Sequence, residues 1–109
     1  MVGINEELGA AEAAKAVLSA TNPNSQTTIR ILRQAKYVAA LAMTTLPSDK
    51  PLNDVRHAVV ITLSDLVQAL ETDPAAQQEK IDKAKEAIRN LEWALKATLE
   101  LGLRNLAEG

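Results

Sequence analysis

Apolar side chains recur along this chain at intervals of three and four, the spacing that lines one face of an α-helix. Three prolyl turns cut that pattern into four predicted helices. The first, roughly Ile4 to Ala20, carries Ile4, Leu8, Ala11, Ala14 and Leu18 on one side. Its face is mostly methyl groups, which bury little area, so this helix is expected to fray or move. In Thr21-Asn22-Pro23-Asn24-Ser25 the asparagine before proline disfavours helix, and Asn24 or Ser25 can cap the next one.

The second helix is predicted from about Gln26 to Leu46, with Ile31, Leu32, Ala35, Val38, Ala39, Ala42, Met43 and Leu46 in one broad apolar arc. Pro47-Ser48-Asp49-Lys50-Pro51 ends it, and Pro51 suits the first turn of a third helix from about Leu52 to Glu71. That helix buries Leu52, Val55, Ala58, Val59, Leu63, Leu66, Val67 and Leu70. The β-branched run Val59-Val60-Ile61-Thr62 favours a strand, but strict alternation there leaves no polar face, so periodicity decides for helix. In Thr72-Asp73-Pro74 the aspartate is a cap and the proline a first helical residue. The third and fourth helices therefore form a tight hairpin.

The fourth helix runs from Pro74 toward Leu106 along Ile81, Ala84, Ile88, Leu91, Leu95, Leu99 and Leu106. At ~1.5 Å per residue it reaches ~50 Å, against ~30 Å for its neighbours, so it overhangs them or breaks near Gly102. The architecture expected is an all-α, up-and-down bundle of four helices in a single domain spanning residues 1–109. Composition agrees: 47% of residues are hydrophobic, phenylalanine is absent, and Tyr37 and Trp93 are the two aromatics. Small side chains suit closely packed helices.

Off-core apolar positions are the first functional signal. Trp93, Ala97 and Leu101 form a second stripe on the fourth helix, well away from the Ile88 line. Either the first helix covers that stripe, or the stripe is a seam for a second protein. Tyr37 and Leu41 make another off-core pair on the second helix and favour association. Arg30 and Arg33 share that side, with Lys36 at its edge. An Arg-Arg-Tyr patch can grip phosphates and stack a base, which supports nucleic acid as the alternative partner. The net charge of −2 argues against it.

Charge is uneven along the chain. Residues 25–50 hold four cations and one carboxylate, residues 51–73 four carboxylates and one cation, so two adjacent helices of opposite sign attract one another. Arg56 falls inside the apolar arc of the third helix, where its stem is expected to lie along the core edge while its head reaches water. On the fourth helix Glu79–Lys83, Glu92–Lys96 and Glu100–Arg104 sit at i,i+4 and read as a solvated, ion-laced face.

Catalytic and metal chemistry finds little footing. His57 is the one histidine and lies on a polar face with Asp54 three residues before it, and no serine or cysteine stands at a motif position beside it. The carboxylates do not form the Glu-x-x-His pairs of di-iron bundles. With no cysteine, thiolate metal sites and disulfides are excluded. Thr98 and Arg56 are the polar groups expected to point inward. No cofactor or metal is expected, and the chain is read as a non-enzyme. Glu6 and Glu7 stand where a signal peptide places basic residues, and no apolar run matches a membrane span, so the expectation is a cytoplasmic protein. Its expected role is a small regulatory interaction module, homodimeric, with a possible heterologous protein partner. The anchors are Trp93, Ala97, Leu101, Tyr37 and Leu41, with Arg30 and Arg33 setting orientation.

Overall fold

The computed structural model describes residues 3–19, 26–45, 50–72 and 78–108, with side chains up to 101 except at 45. It contains four helices: α1 (Ile4–Leu18), α2 (Gln26–Thr45), α3 (Lys50–Thr72) and α4 (Gln78–Glu108). The loop readings around Pro23, Pro47 and Pro74 lie outside the described residues. So do the start expected for the fourth helix at Pro74 and the side chains of Leu46 and Leu106. Pro51 stands in the first turn of α3, where its missing N–H has no intrahelical acceptor to lose. The β-branched run Val59–Thr62 is helical. At the start of α1 the Glu6 carboxylate accepts a hydrogen bond from the Gly3 N–H at 2.8 Å, satisfying one orphan donor.

Consecutive helices pack side by side, and α1 closes the ring against α4; the backbones of the diagonal pairs, α1 with α3 and α2 with α4, stay apart. The bundle is thus square, with two diagonal pairs. Cross-helix ion pairs tie neighbours together: Lys80 with Asp65 at 2.7 Å joins α4 to α3, and Lys15 with Glu92 at 2.8 Å joins α1 to α4. Arg33 pairs with Glu71 between α2 and α3, so part of the attraction expected between those oppositely charged segments acts inside one chain.

Leu32, Leu63, Leu66, Ile88, Leu91 and Leu95 fill the centre and are almost wholly buried. Each contributes about 1.5–3 kcal/mol of transfer free energy. Alanines at 14, 35, 39, 42 and 84 are also buried, which lets the backbones approach closely. Ala58 departs from the expected stripe and is exposed, since it sits at the margin of the arc that Val59 and Leu63 define. Ile31, Met43, Val55 and Leu99 are half-buried.

Two polar residues correct the sequence reading. Arg56 does not snorkel: it is completely buried, and its Nε and Nη2 donate to Glu7 Oε2 and Oε1, both at 2.8 Å. Nη1 donates to Asn53 Oδ1 at 3.3 Å. This bidentate pair spans the α1–α3 diagonal, so it crosses the core. Glu92 is not on a solvated face either, being 7% exposed. Its Oε2 accepts from Lys15 and lies 3.7 Å from Lys96, while Oε1 has no hydrogen-bond partner. Replacing Lys15 with alanine removes the one hydrogen bond to this buried carboxylate and leaves it only Lys96 at 3.7 Å, at a cost of about 1 kcal/mol because Lys15 itself is two-fifths exposed. Urea unfolding of that variant measures it.

These contacts change the picture of the first helix. α1 is docked, through Ala11, Ala14 and Leu18 in the core and through Glu7 and Lys15 to α3 and α4. Its small apolar face alone does not hold it.

Candidate functional site

α4 contains 31 residues and passes Gly102 without a break, which removes the hinge considered there. At ~1.5 Å per residue it is ~46 Å long, against ~34 Å for α3 and ~30 Å for α2. Leu95 is its last fully buried residue among those described; beyond it Lys96, Ala97, Thr98, Glu100 and Leu101 are exposed. Ala97 and Thr98 still lie beside Pro51 in the first turn of α3, so α4 overhangs its neighbour only beyond them, and Leu101 is the exposed apolar side chain described there.

Trp93 is 77% exposed and Leu101 56% exposed, so α1 does not cover the stripe. The reason is angular. α1 packs on the Glu92 side of α4 and α3 on the Ala94 side, and Trp93 points away from both cores. Between the outer face of α4 and the first turns of α3 runs an open, mainly apolar groove of about 450 Å³. Trp93, Ala94 and Ala97 form one wall, with Pro51, Leu52 and Val55 forming the other. The stripe foreseen on a single helix is thus one side of a two-helix groove. Pro51 and Val55 are absent from the sequence-predicted contacts, because periodicity within one helix does not report which neighbour lies alongside.

The second-helix residues form a separate surface. Arg30, Arg33 and Tyr37 line a shallow groove of about 400 Å³ together with Ile29 and Gln34. Tyr37 is 64% exposed, while Leu41 is half-buried and contributes less than the off-core pair implied. Lys36 does not join this groove and lies instead beside Ser64 and Gln68 on the α3 side. α2 and α4 are diagonal in the square, so their outward faces point in opposite directions. Trp93, Ala97 and Leu101 therefore do not meet Tyr37, Leu41, Arg30 and Arg33 in one patch.

The remaining candidates stay apart from one another. His57 is exposed, and Asp54 is held by Lys50 at 3.0 Å rather than turned toward it. Thr98 is exposed, and its hydroxyl donates to the Ala94 carbonyl. Among the described residues no three His, Asp or Glu side chains gather as metal ligands, and no helix is long and apolar enough to cross a membrane. The chain matches no family model, no curated protein and no solved structure.

Proposed function

We propose that this chain is a non-enzymatic protein–protein interaction module, a small regulatory protein that self-associates and occupies a surface on another protein in the cytoplasm. The observation that carries this reading is the exposure of Trp93 beside an apolar groove on an overhanging helix. Exposed tryptophan is costly to leave in water and is enriched among the residues that anchor interfaces. The two opposed surfaces divide the work. The Trp93 face serves self-association, and the Arg30–Arg33–Tyr37 face stays outward, available to a second protein.

Light scattering after size exclusion, over a wide concentration range, tests the first half. The expected mass rises from one chain toward two as concentration increases. A single-chain mass throughout contradicts self-association.

A phosphate-binding reading has one observation in its favour, the convergence of Arg30, Arg33 and Tyr37 on one groove. Against it, Arg33 already faces the Glu71 carboxylate, Lys36 lies on the other side, and the chain is acidic overall. Titration with labelled single-stranded DNA at low salt is expected to show no binding. Binding with a steep salt dependence, weakened by Arg30→Glu, would put this reading first.

A further inference from the structure

We propose that α1 is a latched strap: it opens from the α2–α3–α4 body as one unit, before that body unfolds, and the buried Glu7–Arg56 pair is the latch that holds it shut in one position.

The core belongs mainly to the other three helices. Leu32, Leu63, Leu66, Ile88, Leu91 and Leu95, large apolar side chains buried almost completely, all stand on α2, α3 and α4. The apolar residues that α1 buries are Ala11, Ala14 and Leu18, and a methyl group removes little area from water. α1 also precedes the other helices in the chain. Its departure therefore leaves the α2–α3 and α3–α4 packing in place, with the Arg33–Glu71 and Lys80–Asp65 pairs that span those seams. Few buried apolar contacts are what a locally opening segment has.

Against that small apolar gain, docking α1 takes three charges out of water. Glu7 and Arg56 are 1% and 0% exposed, and Glu92, beneath α1, is 7% exposed with its Oε1 lacking a hydrogen-bond partner. The desolvation of a buried ion pair offsets most of its attraction, and an unpaired buried oxygen is a net cost. When the whole helix lifts, all three groups return to water together, so the charges resist opening only weakly. Truncating one partner is different, because the other charge stays stranded for as long as α1 is shut.

The pair makes the closed position specific. The Arg56 fork holds both Glu7 oxygens at 2.8 Å, while its third nitrogen donates to Asn53 Oδ1 at 3.3 Å. A planar fork meets two carboxylate oxygens in a single alignment, so a turn or slide of α1 breaks the pair. The alanine methyls at 10, 11, 13, 14 and 16 look alike from several sides and fix that alignment less sharply. Setting register is the best-attested use of a buried polar contact of this kind.

Native-state hydrogen exchange of the full chain, at a series of low urea concentrations, tests the strap and the latch separately. In the parent, the α1 amides are expected to exchange as a group, faster than the slowest amides of α3 and α4. Their urea dependence is expected to be weaker, since partial opening exposes less surface than unfolding. In Arg56→Ala the α1 amides are expected to lose almost all protection, while amides near Leu63 and Leu91 keep a measurable part of theirs. Arg56→Met with Glu7→Leu, which removes the charges and keeps the apolar volume, is expected to restore α1 protection to at least the parent's level. A single exchange level and urea dependence shared by α1, α3 and α4 in the parent contradicts the strap. Loss of protection throughout the chain in Arg56→Ala contradicts a body that stands by itself. Two levels in the parent, with α1 protection unchanged by Arg56→Ala, contradict the latch.

Discussion

Arg56→Ala is expected to lower the unfolding free energy by about 3–5 kcal/mol, a large share of the stability of a chain this size. The guanidinium is fully buried and holds both oxygens of Glu7, which is itself 1% exposed. Truncation leaves that carboxylate in the core without its counter-charge, a worse state than either a complete pair or none. The variant Glu7→Gln, which strands the cation instead, is expected to fall in the same range. Exchanging both residues for apolar ones of similar size, Arg56→Met with Glu7→Leu, is expected to recover most of the loss or exceed the parent. Urea denaturation of the four proteins measures each step. Near-equal stability of Arg56→Ala and the parent would mean that the pair is hydrated in solution and that α1 does not rest on it.

Leu63→Ala is expected to cost about 2–5 kcal/mol. Leu63 is fully buried at mid-length on α3, packed in the cluster with Leu66, Ile88 and Leu91. Its removal takes away the transfer free energy of the lost carbons and leaves a cavity that closely packed neighbours such as Leu66, Ile88 and Leu91 refill only in part. Ile61, two residues earlier on the same helix, is the control. It is 53% exposed, and Ile61→Ala is expected to stay within about 0.5 kcal/mol of the parent. Thermal unfolding by circular dichroism separates the two. Equal losses at both positions contradict the assigned face of α3.

Periodicity and prolines suffice for the helices, because each rests on a signal confined to some twenty residues. The same pattern marks Trp93, Ala97 and Leu101 as off-core, since an angle on one helix needs no knowledge of its neighbours. Arg56 shows where that stops. Its angle puts it in the apolar arc, but Glu7 lies 49 residues away on a helix whose apolar face is weak, and no local spacing links them. Glu92 is hidden for a related reason. Its i,i+4 relation to Lys96 suggests a surface pair, whereas α1 packs over it and brings Lys15. The separation of the Tyr37 and Trp93 surfaces comes from the square arrangement of helices, which no single stripe encodes.

Whether Trp93 meets a partner is decided by the light-scattering mass of Trp93→Glu beside the parent at the same concentration, with helicity recorded on the same samples. A side chain that anchors an interface and lies outside its own core gives one expected result. Helicity is unchanged, the melting temperature moves by no more than a few degrees, and the mass falls to that of one chain. Loss of helicity on substitution would make Trp93 part of the core, and a dimer mass that survives it would place the interface elsewhere.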